Sequence, residues 1–223
     1  MVEAGDPAGA ARLVAPGPLR VPLLVASAVV ALAGLAAEIA EYELGAPARV
    51  VEIFSLSYEA NVPTWYATVL LFACSMLLAT IARAEGVSRR KSWASLAAIF
   101  AYLSLDEAIE IHELLAYLVP PAGGLLRFGW VIPGAAITLL VGLVYLPFLR
   151  ALASTTRWRF VLAGAIYVGG ALGMEPLLGW WADTHGDDNL GYGVIDFVEE
   201  SMELAGASLF LLALDDERRR VSA

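Results

Sequence analysis

RVPLLVASAVVALAGLAAEIAEY, residues 20–42, opens on one basic residue and then runs from Val21 to Ala37 without a charge before reaching Glu38 and Glu41. At 1.5 Å per helical residue the uncharged run covers about 25 Å, close to the roughly 30 Å of a bilayer's hydrocarbon core. Five later stretches have the same character, at residues 63–83, 92–117, 129–150, 158–181 and 191–214. They predict an all-α integral membrane protein, a bundle of six transmembrane helices over residues 20–214. A Gly-, Pro- and Ala-rich stretch at 1–19 is expected to be a flexible tail, with no cleavage site marking a removed signal peptide, and residues 215–223 a cytoplasmic tail.

Composition agrees with lipid as the solvent. Of 223 residues, 59% are apolar and 17% charged, against about 25% charged in an ordinary soluble domain, and the mean hydropathy is +0.70. A soluble domain and a disordered chain are both excluded. The net charge of −9 opposes binding to nucleic acid. The one cysteine, Cys74, lies in an apolar run and reads as a packing residue.

Positive charge sets the expected orientation, because Lys and Arg concentrate in cytoplasmic loops. Twelve of the 14 basic residues, among them Arg12, Arg20, Arg83, Arg89, Arg90, Lys91, Arg150, Arg157, Arg159 and Arg218 to Arg220, fall on one side of a six-span path. Arg49 and Arg127 fall on the other. Both termini are therefore expected in the cytoplasm, and the Ala- and Arg-rich composition suggests a bacterial cytoplasmic membrane. Between the first two spans, Pro47 to Asn61 suits either a short interfacial helix or an ordinary loop. Gly169 and Gly173 form a Gly-x-x-x-Gly pair able to bring two helices close.

The informative residues are carboxylates inside the apolar stretches: Glu38 and Glu41 in the first; Asp106, Glu107, Glu110 and Glu113 in the third; Glu175 in the fifth; Asp196, Glu199, Glu200 and Glu203 in the sixth. Each costs about 2.5 to 3.5 kcal/mol at the centre of a lipid-facing helix. They are not all outside the bilayer, since only the 11 residues Leu204 to Leu214 separate Glu203 from the charged end, about 16 Å. At 100° per residue Asp106, Glu110 and Glu113 fall on one face, as do Asp196, Glu199, Glu200 and Glu203. Two facing acidic stripes, supplemented by Glu175 and Glu38, would build a polar chamber in the outer half of the bilayer. Pro176 is expected to kink its helix by denying a hydrogen bond to the carbonyl near Leu172.

So many carboxylates cannot all be ionised unaided, because like charges and desolvation both oppose ionisation. A metal ion, protons or basic side chains must compensate. Oxygen-rich coordination with an occasional imidazole suits a divalent metal, with Fe or Mn among the candidates. On this reading Asp106, Glu107, Glu110, Glu113, His112, Glu175, Asp196, Glu199, Glu200 and Glu203 are candidate ligands, supported by Glu38, Glu41 and His185. An unbroken helix turns His112 about 120° from Asp106, which leaves it a ligand or an interfacial hydrogen-bonding group. His185, with Asp183, Asp187 and Asp188, either caps the chamber or belongs to a solvated loop. The aromatic residues Trp130, Trp180, Trp181 and Tyr192 suit an interfacial belt.

The stretches SLDEAIEIHE (104–113) and EESMELAG (199–206) superficially resemble the carboxylate-bridged di-iron helical bundles, in which Glu residues from several helices surround two metals. The chain departs from that pattern in having no Glu-x-x-His pair. Glu199-Glu200 also invites comparison with CAAX-type intramembrane proteases, but the Arg and later histidines those require are missing from the sequence. Three functions remain: a metal-dependent membrane enzyme acting on a lipid-soluble substrate, a proton-coupled or divalent-cation transporter using the same acids, and an accessory subunit whose acids pair with a partner chain. The expected partners are the lipid bilayer, such a substrate, and a homo-oligomer or membrane complex.

Overall fold

The computed structural model describes residues 17–222, so most of the tail expected at 1–19, Arg12 included, lies outside the described residues. The described chain is helical, in the order α1 Arg20–Leu44, α2 Ala48–Val51, α3 Val62–Ala84, α4 Val87–Ile109, a 3-10 turn at Ile111–Tyr117, α5 Val131–Ala151, α6 Ser154–Ala171, α7 Glu175–His185 and α8 Leu190–Ser222. Four segments are long and apolar enough to cross a membrane: α1, α3, α5, and α6 with α7 taken together. That points to a multi-pass membrane protein. The two long helices not among them, α4 and α8, are those carrying the acidic stripes.

The packing explains how those two are accommodated. α8 lies against α1, α3, α6 and α7, and α4 packs along α3, so the polar faces turn toward protein. The apolar core gathers at the Arg-rich end of the bundle, where Leu71, Cys74 and Leu78 of α3 meet Trp93 of α4 and Leu204, Ala207 and Leu214 of α8. Trp93 is fully buried, with the rings of Phe148 and Phe160 edge-on at 4.9 and 6.0 Å. Beyond this core a girdle of ion pairs closes the same end. Asp216 joins Arg20 at 3.2 Å and Arg159 at 2.6 Å, tying α1, α6 and α8. Glu217 accepts from Thr156 at 2.9 Å and pairs with Arg220. Burial works against ionisation of Asp215, but hydrogen bonds from Arg218 and Arg219 outweigh it and hold its pKa below the ordinary carboxylate value.

Two of the six predicted stretches are not continuous helices. The third, 92–117, ends at Ile109, because Glu110 adopts a left-handed conformation (φ 53°) that terminates α4 before the 3-10 turn. The fifth, 158–181, is broken at residues 172–174, and Pro176 occupies the first turn of α7, where its missing N–H leaves no partner unsatisfied. The expected kink is thus seen as a turn at 172–174, across which the N–H groups of Leu172 and Met174 still bond the carbonyls of Val168 and Gly170. Between α1 and α3 only Ala48–Val51 is helical. The rest of that connection is a loop held by Asn61, whose side-chain amide donates to the carbonyls of Glu52, Ser55 and Tyr58 while its Oδ1 caps α3 at Thr64.

Close approach of α6 and α8 rests on glycine, but the pair differs from the one expected. Gly170 rather than Gly173 lies against α8, with Glu199 O 2.7 Å from where a Cβ would sit; Gly169 faces Met202, and Gly173 meets only its own helix. From the other side, Gly206 lies against the backbone of Tyr167, its N and Cα 2.6 and 2.8 Å from an added Cβ. Main chain cannot give way as a side-chain tip can. Gly206→Ala is therefore expected to destabilise the detergent-solubilised protein by about 1 to 3 kcal/mol through overpacking. Gly142→Ala, with open space around it, is expected to be neutral or slightly stabilising. Thermal unfolding of the two variants side by side checks the difference.

Candidate functional site

The acids occupy three separate places. Deepest are Glu107 of α4 and Glu200 and Glu203 of α8, which with Tyr167 of α6 and the apolar residues Ala67, Leu71, Leu204 and Ala207 line a cavity of about 10 Å³. That is about the smallest volume able to hold one water molecule. The phenol-bearing side chain of Tyr167 and the Glu203 side chain line the same cavity. Glycine makes this arrangement possible: Gly170 and Gly206 bring α6 close enough for Tyr167 to reach the acids of α8.

A second group lies at the junction of α4, α5 and α7. Because α4 stops at Glu110, the chain doubles back and His112 returns to Asp106. Its backbone N–H donates to Oδ1 at 2.7 Å, and its Nδ1 lies 3.1 Å from Oδ2. The 120° separation expected for an unbroken helix is overturned by that single left-handed residue. The imidazole packs on the ring of Trp130 at 4.6 Å, and Trp130 Nε1 donates to Glu175 Oε1 at 3.1 Å. Trp130, expected in an interfacial belt, is thus a polar link between Asp106–His112 and Glu175. The second oxygens of Glu175 and of Glu199 are buried without a hydrogen-bond partner among the described residues.

The third group forms where α1 meets the loop before α3. Glu38, 1% exposed, accepts a hydrogen bond from Ser55 Oγ. Gly193 leaves room for it, since a Cβ there would collide with the Glu38 carboxyl. Tyr58 OH donates to Glu41 Oε1 at 3.1 Å, and the Ser57 hydroxyl is buried without a hydrogen-bond partner among the described residues. Glu59, from the same loop, lies within electrostatic range of Glu107, Glu110 and Asp196. Glu113 is exposed in the 3-10 turn. His185 stacks on Trp181 at 4.2 Å at the far end of α7, with its Nδ1 2.7 Å from Thr184 Oγ1. Beside it, Arg127 pairs with Asp183 at 2.8 Å and Asp187 at 3.1 Å.

The ten candidate ligands are therefore distributed rather than gathered on one point. Among the described residues no three His, Cys, Asp or Glu side chains stand in an arrangement able to hold a metal ion. Arginine–carboxylate pairs among the described residues lie at the two ends of the bundle, away from the cavity.

Residues 22–216 match the model of a family described as a domain of unknown function (DUF8692). The chain belongs to this family. No curated protein and no solved structure matches it. The matched stretch covers every acid of the three groups, and also the loop and breaks that position them, so the site lies wholly within the family's domain.

Sequence reasoning did not single out Tyr167, Ser55, Ser57, Tyr58 and Glu59 as site residues. Tyr167 carried a signal: it stands eight residues before Glu175 in an apolar run, which puts it deeper than that acid. The return of His112 to Asp106 is directly testable, because charge-assisted hydrogen bonds contribute about 1.5 to 3 kcal/mol. In a double-mutant cycle of Asp106→Asn and His112→Ala, thermal unfolding is expected to show a coupling of at least about 1 kcal/mol. Additive effects would match the unbroken helix instead.

Proposed function

We propose that the protein crosses a bacterial cytoplasmic membrane six times with both termini in the cytoplasm, and that its buried carboxylates bind and pass protons in a proton-coupled transporter. α4 and α8, of 23 and 33 residues, count as spans because their acids turn toward neighbouring helices. The ion-pair girdle then lies at the cytoplasmic surface, and the Arg127 pairs and the loop holding Ser55 lie outside.

The observation that carries this reading is the small cavity between Glu107, Glu200, Glu203 and Tyr167. Glu203 lies about 16 Å along α8 from the cytoplasmic charges, counted over 11 residues. A hard divalent cation asks for about six or more oxygens around it. A space for one water, bounded by three carboxyls and a phenol, suits a proton shared among oxygens, which is how intramembrane acids serve relays. The outer acids would supply and collect protons on the external side.

A second reading, the metal-dependent enzyme acting on a lipid-soluble substrate, draws on one different observation. His112 holds Asp106 through Nδ1, the arrangement that orients an imidazole whose other nitrogen binds a metal. His112 and the unpartnered oxygens of Glu175 and Glu199 would be the groups to hold Fe or Mn, but they do not stand in a metal-holding arrangement here and would have to move together first; a metal held there would supply Lewis-acid chemistry.

Liposomes containing the purified protein and an internal pH dye, with a potassium diffusion potential as driving force, separate the two. The expected outcome is proton uptake well above empty liposomes, reduced at least tenfold in Glu203→Gln and Glu200→Gln at unchanged unfolding temperature. Wild-type uptake no faster than empty liposomes counts against proton transport. Stoichiometric Fe or Mn that disappears in Glu175→Gln favours the enzyme.

A further inference from the structure

Three hydroxyls from three helices meet below the acids. Ser27 Oγ of α1 lies 2.7 Å from Tyr66 OH of α3 and 2.7 Å from Ser208 Oγ of α8. It also reaches the carbonyl of Leu23 at 3.1 Å. Ser208 is 1% exposed and Ser27 9%. Along α8, Ser208 lies five residues, about 7.5 Å, past Glu203 toward the Arg-rich end, and seven residues, about 10 Å, short of Asp215. The trio therefore sits between the carboxylate-lined cavity and the ion-pair girdle. Two residues lining the cavity, Ala67 and Ala207, are the sequence neighbours of Tyr66 and Ser208.

Ordinary helix-to-helix bonding does not account for the whole arrangement. A serine in an apolar helix satisfies its hydroxyl on its own backbone one turn back, and Ser27 does so at Leu23. The contacts to Tyr66 and Ser208 come in addition. A hydroxyl has one hydrogen and two lone pairs, so the three partners of Ser27 use its full capacity. Two orderings fit the same oxygen positions. In one, Ser27 donates to Leu23 O while Tyr66 and Ser208 both donate to it. In the other, Tyr66 donates to Ser27 and Ser27 to Ser208, giving a string of three oxygens that runs from α3 through α1 to α8.

We infer that Ser27, Tyr66 and Ser208 form the first step of a cytoplasmic proton leg, taking protons from the carboxylate-lined cavity toward the inner end of the bundle, an inference that rests on the proton reading above. Each hydroxyl accepts a proton on a lone pair and releases its own hydrogen to the next oxygen, so no electrons are transferred and each oxygen ends as it began. The hydroxyls then turn back from one ordering to the other. The step from Glu203 to the trio would pass through a water in the cavity, which is lined by Ala67 and Ala207, the neighbours of Tyr66 and Ser208.

The liposome assay with the full chain tests the leg through Tyr66→Phe, Ser27→Ala and Ser208→Ala, beside Ser208→Thr, which keeps a hydroxyl. Expected are at least fivefold losses of proton uptake in the three deletions and retention in Ser208→Thr, with unfolding temperatures near wild type in Tyr66→Phe and Ser208→Thr. Wild-type rates in Tyr66→Phe and Ser208→Ala, with Glu203→Gln inactive, would overturn the leg and leave the proton reading standing. Wild-type protein no better than empty liposomes overturns both. An equal loss in Ser208→Thr and Ser208→Ala assigns the position to packing and overturns the leg.

Discussion

A carboxylate in hydrocarbon must face something other than lipid, and the architecture follows from how this chain meets that demand. Acids appear on α1, α4, α7 and α8, yet the segments long and apolar enough to cross a membrane are α1, α3, α5 and the α6–α7 pair. The polar helices α4 and α8 cannot take the outside. α8 accordingly runs among α1, α3, α6 and α7, and α4 leans on α3. Glycine at 170 and 206 and the tyrosine at 167 follow from the same need, since the acids of α8 are served only if α6 comes within reach of them.

The second device is interruption of helices. An intact helix consumes its own backbone donors and points successive side chains away from one another. By ending α4 at Glu110, the chain leaves a backbone N–H free to bond a side chain and brings side chains from nearby sequence positions together. The N–H of His112 on Asp106 exists only because α4 stops. Such breaks are tolerated at membrane depth where protein surrounds them, and here Trp130, which reaches both His112 and Glu175, fills the space between the two.

Much of the fold was legible because hydrophobic length is a one-dimensional property. The positions of the apolar segments and the burial of Glu38 and Glu199 are consistent with counting residues from charged ends, and the turn before α7 with the proline at 176. What counting could not supply was the set of partners. Helical-wheel geometry assumes an unbroken helix, so one left-handed residue at 110 was enough to misplace His112. The loop between α1 and α3 was opaque for a different reason. Its serines and tyrosine read as ordinary interfacial polarity, and only the tertiary arrangement turns Ser55 to Glu38 and Tyr58 to Glu41. The close approach of α6 and α8 was anticipated in kind, through glycine, and missed in register by three residues.

The placement of α8 also constrains how the bundle comes together. It follows the other helices in the chain, yet it is the one around which α1, α3, α6 and α7 are arranged. Until it emerges, the Glu38 carboxyl lacks the Gly193 that makes room for it, Tyr167 has no acid to reach, and Arg20 and Arg159 have no Asp216 to join them. α3 and α4 already pack on each other without it, so α8 is the helix that closes the pairings the earlier ones leave open.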